Sequence, residues 1–79
     1  MPPALQYFNE HYEIVDNEEE GEWQSPTAIY ERLRRLAGSG LKANGVAAFG
    51  RYLRNVSGLR HKRVANGRMY LVREKSSRY

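Results

Sequence analysis

Along Asn44–Ser57 (NGVAAFGRYLRNVS) the apolar residues keep a helical period. Val46, Phe49, Leu53 and Val56 stand at i, i+3, i+7 and i+10. With that stripe turned inward, the opposite side carries Asn44, Ala47, Ala48, Arg51, Arg54 and Asn55. Upstream, Ser25-Pro26-Thr27 opens another helix, with Ser25 as N-cap and Pro26 at the first helical position, where its missing N–H is no loss. The inward stripe of that helix is Ile29, Leu33, Leu36 and Ala37, bordered by Tyr30, and Gly38 is its C-terminal stop. The connection Gly38–Ala43 (GSGLKA) holds one large apolar residue, Leu41, which is expected to plug the gap between the two helices. Asn44 is expected to cap the following helix and Gly58 to end it. Gly50, on the inward edge, is expected to let two helices approach closely.

The two ends of the chain read differently. Pro3 to about Glu10 (PALQYFNE) supports a short helix with Leu5 and Phe8 on one side. His11–Val15 alternates and holds β-formers, so it reads as a short strand. Asp16–Gly21 (DNEEEG) is a charged loop, and Glu22-Trp23-Gln24 is expected to return as a second strand beside the first. At the other end, Asn66-Gly67 is a type I′ turn signal between β-compatible runs. That turn sets Ala65 opposite Arg68, Val64 opposite Met69, Arg63 opposite Tyr70 and His61 opposite Val72. Leu59, Tyr70 and Val72 are then the inward residues, and Lys62, Arg63, Asn66 and Arg68 gather at the end of a projecting ribbon. Glu74–Tyr79 is expected to be a polar tail.

Charge sharpens the picture because it is segregated. Met1–Glu22 carries seven acidic residues and no Lys or Arg, whereas Trp23–Tyr79 carries all 13 basic residues against Glu31 and Glu74. The first part is at −7 and the second at +11, giving the net +4. A segment so basic attracts polyanions, and nucleic acid is the commonest. The acidic loop has three readings: a solvated hairpin tip, an internal contact with the basic face, or a repulsive element that orients DNA. Arg51 and Arg54 have no acidic residue at helical spacing, so intrahelical pairing does not account for them.

Other function classes find little support. There is no cysteine, hence no disulfide framework and no Cys-containing zinc site. His11 and His61 lie in different elements without carboxylates at ligand spacing, and no glycine loop of the Walker type occurs. The carboxylates crowd one solvated loop, which suits acid–base catalysis poorly. No enzyme activity, cofactor, metal or small-molecule substrate is expected. No apolar run approaches the ~20 residues of a membrane span, so a cytoplasmic domain without a membrane partner is expected.

Helix, short strand pair, helix, helix and basic hairpin is the layout of an α+β winged helix-turn-helix. The expected organisation is one domain over residues 1–79, with an acidic N-terminal part (1–24), a helix-turn-helix (25–57), a hairpin wing (58–73) and a tail (74–79). EWQSPTAIYERL, the glycine within AAFGRYLRN, and KRVANGRMYLV resemble a winged-helix-like domain of unknown function. That domain is found at the C-terminus of mobile-element primase/helicase-like proteins of the virulence-associated protein E family, frequent in Bacteroidetes. The resemblance spans about Leu5 to Val72. It implies an accessory domain of replication or mobilisation, attached to a nucleotide-driven engine that this chain lacks.

The leading expectation is double-stranded DNA binding without catalysis. Asn44, Ala47, Ala48, Arg51 and Asn55 would enter the major groove, where small residues let the backbone come close. Lys42 and Arg54 would flank the groove at phosphates, and Lys62, Arg63, Asn66 and Arg68 would hold the backbone from the wing. The competing expectation is a protein–protein docking module contacting other domains of a helicase or primase. Binding of single strands ranks lower, because the ribbon's aromatic residue, Tyr70, is expected to be buried.

Overall fold

The computed structural model describes residues 1–75. The elements run α1 (Pro3–His11), β1 (Tyr12–Ile14), a 3₁₀ turn (Glu18–Glu20), β2 (Glu22–Gln24), α2 (Pro26–Ala37), a 3₁₀ turn (Gly38–Gly40), α3 (Val46–Leu53), β3 (His61–Val64) and β4 (Gly67–Glu74). The fold is α+β, with three helices packed on an antiparallel sheet. Among the described residues no helix is long and apolar enough to cross a membrane.

The helix α2 starts and stops where its sequence says. Ser25 Oγ accepts the Ala28 N–H at 3.1 Å, and Gly38, at φ 64°, donates its N–H to the Arg34 carbonyl. Leu41 is buried between the helices, as expected of a plug. One part of the stripe differs: Leu36 is 44% exposed, because the inward line through Ile29 and Leu33 steps by four to Ala37.

The helix α3 is shorter than the apolar period suggests, and its N-cap is Gly45 rather than Asn44. The cause is tertiary. The Tyr30 hydroxyl donates to the Lys42 carbonyl at 2.6 Å, and a Cβ at residue 45 would lie 2.1 Å from that hydroxyl oxygen. Tyr30 is buried and has little room to move. Gly45→Ala is therefore expected to destabilise by about 1–3 kcal/mol, read as a lower urea midpoint at unchanged m-value. After Leu53 the chain leaves the helix in turns, and Gly58 sits at φ 80° beyond them. Gly50 does not serve a close helix approach, since an added Cβ would meet Pro26 Cβ at an ordinary 4.0 Å.

The N-terminal strands do not pair with each other, contrary to expectation. Both pair with β4: Ile14 and Glu22 are each opposite Val72, so β4 lies between β1 and β2. Each short strand is three residues long, too little for a stable two-stranded unit, and the eight-residue β4 supplies a template for both. The strand β3 meets β4 on the β1 side, since Tyr70 faces His61 there and Gln24 across the other edge. Glu74, expected in a tail, is the last residue of β4 opposite Tyr12, and Lys75 bonds through its N–H to the His11 carbonyl. Residues 76–79 of that expected tail lie outside the described residues.

The hairpin forms, but its register differs from the type I′ expectation. Val64 faces Gly67, Arg63 faces Arg68, Lys62 faces Met69 and His61 faces Tyr70. Asn66 has no positive φ, whereas Gly67 does, at 138°. The two turn residues are thus Ala65 and Asn66. The pairing sum changes by two, which leaves every side chain on its face. Leu59, Tyr70 and Val72 are accordingly buried on the helix side.

The core joins all three helices to that face. Phe49 sits between the rings of Phe8 and Tyr30, with centroids at 6.1 and 5.4 Å. Leu71 is fully buried on the opposite face, outside this cluster. The registers place Trp23 beside it on one strand and buried Val15 at the next position on the other, so the back of the sheet has its own small apolar patch. Arg60 Nη1 ties down the start of the acidic loop by donating to the Asp16 carbonyl at 2.6 Å.

Tyr12 is buried, and among the described residues its hydroxyl makes no geometrically formed hydrogen bond. Burial raises its phenol above the usual 10.0, opposed by the guanidinium of Arg32. The folded state thus favours the protonated phenol, and this contribution is present below pH 10 and lost as pH rises through the folded value. Tyr12→Phe is expected to match or exceed the parent Tm at neutral pH and to soften its alkaline decline, as followed by thermal melts from pH 8 to 11.

Candidate nucleic-acid interface

The hairpin leans toward α3 and leaves an open cleft of about 880 Å³ between them. From α3 and its C-cap the cleft receives Val46, Ala47, Gly50, Arg51 and Arg54; from the hairpin, Asn66, Arg68 and Met69; and from the N-cap and first turn of α2, Ser25 and Thr27. These positions follow from the elements. Ala47, Arg51 and the C-cap Arg54 are spaced along one exposed stripe of α3, opposite the buried Phe49 and Leu53. Arg68 shares the Tyr70 face of β4, which is turned toward the helices.

Among the described residues Arg51, Arg54 and Arg68 form no ion pair, while Arg32 pairs with Glu74 at 3.3 Å and Arg73 pairs with Glu13. The ladder also sets Arg63 directly opposite Arg68. Like charges facing across a ladder are destabilising, and an anion between them relieves the repulsion. The acidic residues are held elsewhere. Glu22 is opposite Val72, and Asp16–Glu20 form an exposed loop before it. Val72 lies four residues along β4 from Arg68, roughly 13 Å, so the charge segregation of the sequence becomes segregation in space.

Of the residues singled out from sequence, Ala47, Arg51, Arg54, Asn66 and Arg68 line this one cleft. The others do not. Lys42 and Ala48 line a separate hollow with Pro2, Pro3, Ala4 and Tyr52, and Ala48 is half-buried there rather than on the outer face. Asn44 and Asn55 are exposed in the turns before and after α3, and Asn55 Nδ2 donates to the Arg51 carbonyl at 3.5 Å. Lys62 Nζ lies 4.6 Å over the Trp23 ring, on the sheet face away from Tyr70. Arg63 is exposed beside the cleft. Ser25, Thr27, Gly50 and Met69 line the cleft as well. Nothing in their types signals it, since their place depends on where α2, α3 and the hairpin converge. Among the described residues no group of His, Asp or Glu gathers to hold a metal ion.

Fold and cleft together define a small α+β domain with a cationic groove between a helix and a β-hairpin. Residues 1–72 match the family described as a domain of unknown function from B. Theta (DUF3874), and the chain belongs to that family. Neither a curated protein nor a solved structure matches the chain.

Proposed function

We propose that this is a non-catalytic winged-helix domain that binds double-stranded DNA through the cleft. The observation that carries the reading is the gathering of Arg51, Arg54 and Arg68 in one groove without carboxylate partners among the described residues. The element order and the sheet order β3-β4-β2 support the winged-helix assignment, with α3 as the groove-reading helix and the hairpin as the wing. Exposed Asn44 and Ala47 on the α3 side would approach base edges, Arg54, Arg63 and Arg68 would meet phosphates, and Arg51 would serve at either. An accessory role in a mobile-element primase or helicase is part of the proposal and is supported by the sequence resemblance.

Three to four cations at the groove predict a log–log salt slope of about −3 to −4. Lys62 and Lys42 are excluded from that count, because one is seated over Trp23 and the other lies in a separate hollow. An amide chemical-shift titration with a mixed-sequence duplex at low salt tests the proposal. Shifts are expected on α3 and at the hairpin end; scattered shifts, or a flat salt response, would overturn it. A docking module is the second reading, favoured by the exposed side chains of Ile14 and Leu36. In that case Arg51→Glu leaves DNA affinity unchanged and disrupts assembly with a partner domain.

A further inference from the structure

The sheet has an open edge inside the cleft. In an antiparallel strand, successive residues turn their main-chain N–H and C=O groups to alternate sides. The Leu71 N–H bonds to the Arg60 carbonyl at 3.0 Å and the Lys75 N–H to the His11 carbonyl at 2.9 Å, so the odd residues of β4 bond toward β3 and β1. The even residues turn toward β2, where Val72 and Tyr70 are met by Glu22 and Gln24. The next even residue is Arg68. Continuing the register by two residues would set Pro26 opposite it, but Pro26 has no N–H and begins α2, so β2 has already ended. Among the described residues the β2 ladder stops at Tyr70, and no turn or loop bond meets the Arg68 main chain on that side. Arg68, Pro26, Arg51 and Arg54 all line the cleft.

We propose that this edge is a phosphate-binding subsite, in which the main-chain N–H of Arg68 donates to a phosphate oxygen while the guanidinium groups of Arg51, Arg54 and Arg68 supply the countercharge. An added peptide strand does not suit the position, because the open edge is a single residue long and closes at the turn. A phosphate needs only one main-chain donor and gains from the cations around it. As a nucleic-acid subsite the inference rests on the duplex reading, and it adds that one backbone phosphate is fixed by the fold as well as by side chains.

The test is an amide spectrum of the ¹⁵N-labelled chain, titrated first with inorganic phosphate and then with a mixed-sequence duplex. The Arg68 amide proton is expected to move downfield among the most strongly shifted signals. Movement with the duplex alone assigns a nucleic-acid phosphodiester, and movement with inorganic phosphate as well assigns a site open to free phosphate. An unmoved Arg68 amide, while neighbouring cleft signals shift, would sink the proposal. Arg68→Pro removes the N–H that the ladder leaves unused and should bind the duplex about tenfold more weakly than Arg68→Ala, at comparable Tm. Equal affinity of a folded Arg68→Pro and Arg68→Ala counts against the subsite. If Arg51→Ala and Arg68→Ala both leave duplex affinity unchanged, the duplex reading itself fails, which the phosphate titration distinguishes.

Discussion

Replacing Arg51, Arg54 and Arg68 together with alanine is expected to weaken duplex binding on the order of 100-fold at moderate salt and to flatten the salt slope by about 2.7. Each guanidinium that neutralises a phosphate releases about 0.9 of a counterion, so three removed cations account for the change in slope. If Arg51 instead reads guanine, its removal alone costs about 1–3 kcal/mol and relaxes sequence preference at one position. Fluorescence anisotropy with a labelled duplex, repeated from 50 to 200 mM salt, gives affinity and slope together. None of the three side chains is fully buried and none is ion-paired among the described residues, so the variant should keep its fold. Unchanged affinity in a folded triple variant would remove the cleft from consideration.

Phe49→Ala is expected to have the largest effect on stability, about 3–5 kcal/mol. Phe49 has no exposed surface and joins α3 to α1 through Phe8 and to α2 through Tyr30. Truncation leaves a void at the junction of all three helices. Domains of this size hold few kcal/mol in reserve, so a loss of this order leaves little folded protein at 37 °C. Thermal melts by circular dichroism measure it directly. A Tm within a few degrees of the parent would show that α3 is anchored elsewhere. DNA binding should vanish with the fold, whereas the arginine variant should lose binding alone.

How much of this is legible in the sequence depends on the range of the interaction. The Ser25 cap, the Pro26 start, the Gly38 stop and the Leu41 plug each express a preference acting within a few residues, and each stands as read. Asn44 failed as a cap because Tyr30, in another helix, places its hydroxyl against residue 45. The N-terminal strands are legible in the sequence but their pairing is not, since adjacency favours a hairpin and the longer β4 outcompetes it. Leu71 reads as an outward residue of an alternating strand, yet it is buried between Val15 and Trp23.

The cleft divides in the same way. Arg51, Arg54, Asn66 and Arg68 could be picked out as cations and a turn residue without nearby acidic partners, whereas Ser25, Thr27, Gly50 and Met69 could not. By itself the sequence determined the presence of three helices, both ends of α2, the inward set Leu59, Tyr70 and Val72, and the separation of acidic from basic segments. Those rest on periodicity, capping and charge, which act along the chain. The tertiary structure alone decided which strand lies in the middle of the sheet, which arginines share a groove, and where β2 runs out to leave the Arg68 main chain open. Such features arise from pairing between distant segments, whose partners compete for the same edge and are chosen by packing.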